Sequence, residues 1–160
     1  MARERLIGLT LLLATLIGAL AVYVAGYQTT TVTAKEIITV STNLNSAVNV
    51  ITYGIGTADM GTITISAGAD LGDTETATYR LYIELVGYSG DGRLKAMAVR
   101  ILLDGSLKGA VTLVSPGTVI EETVASGESD QYTLKLWYVA VKKGTVTIDL
   151  KISVEVVSVS

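Results

Sequence analysis

The sequence predicts an all-β protein, a jelly-roll-like antiparallel β-sandwich of about nine strands that follows an N-terminal apolar helical leader. Three observations indicate this fold. Apolar and polar residues alternate with a period of two from residue 27 onward, and turn residues separate the alternating runs. Charged residues make up 17% of the chain and hydrophobic residues 49%, a balance typical of an ordered globular domain.

The leader comprises residues 1–26. After Arg3 and Arg5, the uncharged stretch Leu6–Gly26 is long enough to span a bilayer. It also has the layout of a secretory signal, with a cleavage pattern at Ala19-Leu20-Ala21 and a second candidate cut after Gly26. Both interpretations place the rest of the chain outside the cytoplasm, because the two arginines favour an inside N-terminus. We favour cleavage, so contact with a membrane is expected only before maturation.

Residues 27–42, YQTTTVTAKEIITVST, form a separate N-terminal strand in this prediction. Threonine and β-branched residues are too frequent for a comfortable continuation of a helix. Val32, Ala34, Ile38 and Val40 lie on one side of the strand, and threonines and Lys35 lie on the other. No tight turn joins this strand to a neighbour, so its partner is either its own domain or another copy of the chain.

Residues 43–160 are predicted to form the β-sandwich. Turn residues bound the following runs: Val48–Ile55, Gly61–Ser66, Thr76–Gly87, Leu94–Leu103, Gly109–Val114, Thr118–Val124 and Tyr132–Val141. The last strand, from Gly144, alternates most regularly, which predicts one face on a core and one in water. Its phase slips at Val156-Val157, which predicts a bulge or the end of pairing.

Short turns suggest hairpins at three places. Asp91-Gly92 and Asp104-Gly105 are Asp-Gly pairs, the residues that two-residue hairpins favour because both positions need positive φ. Lys142-Lys143-Gly144 is predicted to close a third hairpin, between the last two strands. Pro116-Gly117 marks a loop, where the missing N–H of proline does no harm.

Two predicted strands are apolar on both faces. In the first, Ala96 and Ala98 lie opposite Met97 and Val99; in the second, Trp137 and Val139 are among the residues opposite Leu134, Leu136 and Tyr138. A covering loop explains either strand alone. Two such strands together raise the expectation of a surface patch that another subunit covers.

The composition argues against most catalytic and metal-binding chemistry. The chain has no cysteine and no histidine, so the usual nucleophile–base pairs and zinc sites cannot be built. Glu121 and Glu122 are adjacent in a strand and should point to opposite faces, which does not suit a glycosidase pair. The Gly54-Ile55-Gly56 segment lacks the strand–helix setting of a phosphate-binding loop.

Partners other than protein also find little support. Asp70, Asp73 and Asp91 lie in loops and have the oxygen chemistry that calcium prefers, but their spacing matches no calcium loop, and turn formation explains them better. The chain is mildly acidic, with 12 Lys and Arg against 15 Asp and Glu, and it lacks the basic face that nucleic acid requires. We therefore expect no metal, no cofactor and no nucleic acid.

The segment Met60 to Gly90 resembles the TasA/camelysin family of secreted fibre proteins, and the archaeal bundling pilins similar to them. It has a Gly-Thr strand from Gly61, then the turn Gly72-Asp73, then a long strand ending near Gly90. The proline that usually precedes the Gly-Asp pair is missing here. The resemblance implies an exported jelly-roll subunit that polymerises by donor-strand exchange, in which the N-terminal strand of one subunit completes the sheet of the next.

The sequence thus predicts a structural protein rather than an enzyme: a subunit of an extracellular filament at the cell surface. Its partners would be other copies of itself, through Val32, Ala34, Ile38 and Val40, with lateral bundling between filaments. One alternative is a type IV pilin or archaellin-like subunit that keeps its N-terminal helix. Another is a membrane-anchored adhesive or ligand-binding β-sandwich.

Overall fold

The computed structural model describes residues 20–24 and 30–31 as backbone and residues 36–160 in full. Eleven strands follow one another in these residues: β1 (Leu20–Val24), β2 (Thr30–Thr31), β3 (Ile38–Leu44), β4 (Ala47–Val50), β5 (Gly54–Ala67), β6 (Thr76–Gly90), β7 (Arg93–Leu103), β8 (Ser106–Thr112), β9 (Gly117–Ala125), β10 (Ser129–Lys142) and β11 (Gly144–Val159). Nine of them, β3 to β11, form the predicted all-β domain.

The strands pair in two antiparallel sheets. Sheet A has the order β2-β1-β11-β6-β9, and β4 also pairs with β11. Sheet B has the order β3-β5-β10-β7-β8. The prediction of an antiparallel all-β fold is therefore confirmed for this part of the chain.

The predicted helical leader lies mostly outside the described residues. Its described part, Leu20–Val24, is a strand. Within the described ranges, the structure contains no helix with the length and apolar character needed to cross a membrane.

The hydrophobic core lies between the inner faces of the two sheets. It alternates along each strand as the sequence predicts: in β11, Val146, Ile148, Leu150, Ile152 and Val154 are all buried. The residues between them face outward, which is the pattern of a sheet with one solvated face. The buried side chains of the described residues are aliphatic or aromatic, so apolar packing holds most of the core.

The predicted irregularity near the end of β11 is confirmed. The register with β6 shifts between Val156 and Ser158, so Val157 has no partner in β6 and forms a bulge. A second bulge occurs in β5, where Leu134 of β10 pairs with Gly61 and Lys135 pairs with Asp59. Met60 is the extra residue, and its side chain is fully buried.

Two of the three predicted hairpins are wrong. Asp104-Gly105 does join paired strands, β7 and β8, and both residues have positive φ, 50° and 77°. Asp91-Gly92 and the Lys142–Gly144 turn instead carry the chain from one sheet to the other, because β6 and β11 belong to sheet A and β7 and β10 to sheet B. Gly90 and Gly144 adopt positive φ at these corners.

The two corners pack against each other at one end of the sandwich. An Oδ1 atom of Asp91 accepts a hydrogen bond from the Thr145 N–H at 2.7 Å. The Gly92 N–H donates to the Thr145 carbonyl oxygen at 3.2 Å. The Asp91 carboxylate therefore joins the β6–β7 connection to the start of β11, and this structural role explains why an acidic residue stands there.

The predicted strand Val48–Ile55 is also divided. Its first part is β4 in sheet A, and its last two residues begin β5 in sheet B, with Gly54 at φ 88° where the chain enters β5. A continuous strand would have to lie in one sheet, whereas residues 51–53 cross to the other.

Candidate subunit interface

The four predicted contact residues fall in two different regions. Val32 and Ala34 lie outside the described residues. Ile38 and Val40 lie in β3, opposite Ala67 and Ile65 of β5 in the same chain. Ile38 is 7% exposed and Val40 packs against the same core. The shared face predicted for Ile38 and Val40 is present, but it is turned toward the core of their own sandwich.

From Glu36 onward, the described chain is bonded to the loop after β5. The Glu36 N–H donates to Oδ2 of Asp70 at 2.6 Å, and the Glu36 carbonyl oxygen accepts from the Asp70 N–H at 3.0 Å. One residue later, the Ile37 carbonyl oxygen accepts from Gly68 N–H at 2.8 Å. These bonds fix the chain to the loop after β5. Asp70, a weak calcium candidate in the sequence, serves here as a backbone anchor.

The edge of β11 that faces away from β6 is covered in two parts. β4 pairs with Gly144–Thr147, and the Ile148 N–H donates to the Ser46 carbonyl oxygen at 2.9 Å. β1 then pairs with Leu150–Val154. The two short strands thus lie end to end along one long strand, and the second of them comes from the N-terminal segment.

β4 cannot extend along the rest of this edge because the chain turns sharply before it. The Ala47 N–H donates to Oδ1 of Asn45 at 3.1 Å, and the Asn45 N–H donates to the Met60 carbonyl oxygen at 2.8 Å. This turn brings the chain from β3 in sheet B to β4 in sheet A. The Leu150–Val154 part of β11 therefore needs a strand from elsewhere.

The surroundings of Leu150–Val154 define what such a strand must look like. Leu150, Ile152 and Val154 face the core and are at most 2% exposed. The outer face beside them is polar: the Tyr82 hydroxyl donates to Oε2 of Glu155 at 2.7 Å, and Arg80 Nε lies 2.7 Å from Oε2 of Glu121. An occupant needs apolar residues at every second position and tolerates polar residues between them.

The paired carboxylates of β9 behave as the sequence predicts. Glu121 pairs with Arg80 on the outer face of sheet A, whereas Glu122 pairs with Lys108 of β8. The two side chains therefore engage cations on different strands. Among residues 36–160, no group of three or more Asp or Glu has the geometry to hold a metal ion.

A buried tyrosine pair, which the alternation of single strands does not reveal, links the two sheets. The Tyr79 hydroxyl of β6 donates to Oδ2 of Asp130 at 2.5 Å and lies 2.6 Å from the Tyr132 hydroxyl of β10. Burial, followed by the bond to Asp130, raises the pKa of Tyr79, and burial also raises the pKa of Tyr132. Both tyrosines stay neutral and act as a cross-sheet clasp.

Replacing Asp130 by Asn is expected to flatten the dependence of stability on pH. Burial raises the pKa of Asp130, aided by the carboxylates of Glu122, Asp104 and Glu128 and opposed by the Tyr79 bond. A raised pKa in the folded state means that this group stabilises the fold below its unfolded pKa of about 4. That contribution is lost as pH rises through the folded pKa.

Urea unfolding of the native chain and D130N between pH 3.5 and 7 measures this effect. The difference in unfolding free energy between the two should change across that range. Parallel curves for D130N and the native chain would contradict the assignment.

The outer face of sheet B carries an apolar patch of Ile55, Val139 and Val141, here called the Ile55 patch. Ile51 and Tyr53, in the crossing that precedes β5, are also exposed. Val139 stands between Ile55 and Ala96 in the register, and Ile55 is 71% exposed. Lys143 Nζ lies 5.1 Å from the centre of the Tyr53 ring. The predicted double-sided apolar character of β10 thus places one face in the core and the other in this patch.

Comparison with known proteins adds no family assignment. A scan against protein-family models finds no match for this chain, and a search of curated proteins finds none of significant similarity.

Proposed function

We propose that the chain is the repeating subunit of an extracellular filament, a bundling pilus or a biofilm matrix fibre, which polymerises by donor-strand complementation. In the filament, the N-terminal segment of one copy adds as a strand to the sandwich of the next. The proposal assigns no catalytic activity, cofactor or metal to the subunit.

The divided edge of β11 carries this proposal. Half of the edge is covered by β4, and the other half is covered by a strand from the N-terminal segment. Strand addition needs only backbone groups and side chains at alternate positions, so an edge that accepts its own N-terminal strand can accept one from another copy.

We take residues 27–35 as the donor segment of this proposal. Glu36 is bound to Asp70, and Ile38 and Val40 of β3 pair with β5 of the same chain, so the proposal no longer uses them as intersubunit contacts. Val32 and Ala34 remain as its apolar contact positions. Nine extended residues span about 30 Å, which exceeds the roughly 17 Å of the five-residue edge Leu150–Val154.

The chain path supports a jelly-roll-like topology as part of the proposal. Between β3 and β11, only the β7–β8 connection stays within one sheet, and the other connections cross from one sheet to the other. Such winding, together with the resemblance of Met60–Gly90 to TasA/camelysin-like fibre proteins and archaeal bundling pilins, favours an exported filament subunit at the cell surface.

Lateral bundling is the second part of the proposal. The Ile55 patch lies on the outer face of sheet B, away from the edge of β11, so a filament built through that edge would leave the patch available. Neighbouring filaments could bury it against each other, since exposed apolar patches mark protein–protein contacts.

Two other functions remain as alternatives. A type IV pilin or archaellin-like subunit keeps an apolar N-terminal helix in the fibre core, and the strand at Leu20–Val24 disfavours such a helix. A membrane-anchored adhesive or ligand-binding β-sandwich would keep its N-terminal strand within the monomer. The donor-strand filament uses both the divided edge and the N-terminal segment.

Electron microscopy of two purified chains tests the proposal. The chain beginning at Tyr27 should form filaments in negative stain, whereas the chain beginning at Glu36, which keeps every core residue that the structure describes, should stay monomeric. Filaments sheared from cells should begin at Val22 or Tyr27. A filament subunit that begins near Met1 would favour the pilin, and the absence of filaments would favour the binding module.

A further inference from the structure

We infer that Leu150–Val154 of β11 is the acceptor edge of the filament subunit and that residues 20–24 of the leader occupy this edge in the unprocessed chain. The leader strand then acts as an internal cap, and its removal opens the edge to a second copy. This inference rests on the proposed function and adds to it the acceptor site and its control.

The register of β1 on β11 supports the cap. Leu20, Val22 and Val24 stand opposite Val154, Ile152 and Leu150, the positions of β11 that face the core. Ala21 and Tyr23 stand opposite Ser153 and Lys151, on the outward-facing positions. Since a shift of one residue would reverse every position, this register matches the leader strand to the edge.

The leader strand and the donor compete for the same backbone groups. One edge of β11 can pair with only one strand at a time. β4 covers this edge only from Gly144 to Thr147, so it leaves Leu150–Val154 to the leader strand or the donor. A strand in the same chain has an effective concentration of roughly 1 mM, so at a subunit concentration of about 10 µM it would hold the edge about a hundredfold more often than an equally strong donor.

The leader strand is also the more apolar of the two candidates. Residues 20–24 read LAVYV, whereas the donor residues 27–35 read YQTTTVTAK. The cap should therefore bind at least as tightly as the donor that it excludes. Hydrolysis of the peptide bond after Gly26, with the uptake of one water, separates the whole cap from the mature chain. Hydrolysis after Ala21 removes only Leu20 and Ala21 and leaves Val22–Val24 attached, so the cut after Gly26 is the one that opens the edge.

A disulfide between β1 and β11 distinguishes a cap from a donor. The chain has no cysteine, so a variant with A21C and S153C has a single pair to join. These residues are in register in the structure, within the reach that a disulfide requires. The variant is made in a chain beginning at Gly18, which keeps β1 and omits most of the apolar leader, and S153C alone serves as the control.

In the Gly18 chain, the disulfide should form within one molecule, and the protein should stay monomeric at concentrations where the Tyr27 chain polymerises. V22D in the Gly18 chain should release the cap and restore polymerisation. Filaments from the Gly18 chain as readily as from the Tyr27 chain, or disulfides only between molecules, would overturn the cap. If neither chain forms filaments while the disulfide forms within one molecule, the proposed function fails and the self-pairing of β1 stands.

Discussion

V32D in the chain beginning at Tyr27 is expected to abolish filament formation while leaving the subunit folded. In the proposed filament, Val32 takes a core-facing position beside Leu150–Val154 of the next copy. A charged side chain at such a position costs about 3 kcal/mol or more unless it reaches water. A cost of that size raises the critical concentration for assembly roughly a hundredfold. Negative-stain microscopy and sedimentation of assembled material measure the loss.

T33D is the matched control for this experiment. It adds the same charge one residue later, on the side of the strand that also carries Lys35 and therefore points away from the acceptor core. Filaments should persist in T33D, and both variants should show the unfolding transition of the native subunit, because in this proposal both positions belong to the donor segment and not to the sandwich that accepts it. Normal filaments from V32D, or equal loss in both variants, would contradict the donor-strand proposal.

Most strands were predictable because alternation is a local signal. The runs at Thr76–Gly87, Leu94–Leu103 and Tyr132–Val141 lie within β6, β7 and β10, and the bulge at Val157 was visible as a slip of phase. A residue's preference for the core side depends on its own chemistry and on a period of two, and both can be read from a short window.

The assignment of strands to sheets was not predictable from the turns. Asp91-Gly92 and Asp104-Gly105 have the same residues, yet only the second closes a hairpin. A tight turn specifies that the chain reverses, whereas the sheet that receives the next strand depends on distant partners. At Asp91 the distant partner is Thr145, 54 residues further along the chain.

The sequence predicted that the candidate interface uses an alternating N-terminal strand, but it could not predict which residues of that strand pair within their own sandwich. The alternation that gives Val32 and Ala34 a common side continues into Ile38 and Val40, so the sequence offers no break between donor and sandwich. The contacts that hold this stretch to the sandwich include the bond between Glu36 and Asp70, which are 34 residues apart. The Tyr79–Tyr132 clasp escaped notice for the same reason, since its two hydroxyls come from different sheets.

The bulge in β5 depends on a glycine that the sequence analysis treated only as the start of a strand. Gly61 has φ 102°. In sheet B it pairs with Leu44 of β3 on one side and with Leu134 of β10 on the other. A Cβ atom added at this position would lie 2.0 Å from the Asn43 carbonyl oxygen. Because that oxygen belongs to the backbone of a paired strand, the clash cannot be relieved by a side-chain rotation.

G61A is therefore expected to lower the free energy of unfolding by about 3–5 kcal/mol, one of the largest effects of a single methyl group in this domain.

Two other glycine variants separate the effect of positive φ from the effect of the backbone clash. Gly127 has φ 77° but open space around it, so G127A should show only the backbone strain of about 1 kcal/mol. Gly87 has neither a positive φ nor a neighbour within 4 Å, so G87A should be close to neutral. Urea unfolding of the native chain and the three variants should give the largest loss of unfolding free energy for G61A, a smaller loss for G127A and almost none for G87A. If G61A is no worse than G127A, sheet B adjusts at the bulge, and the close approach of β3 to β5 is not what requires glycine there.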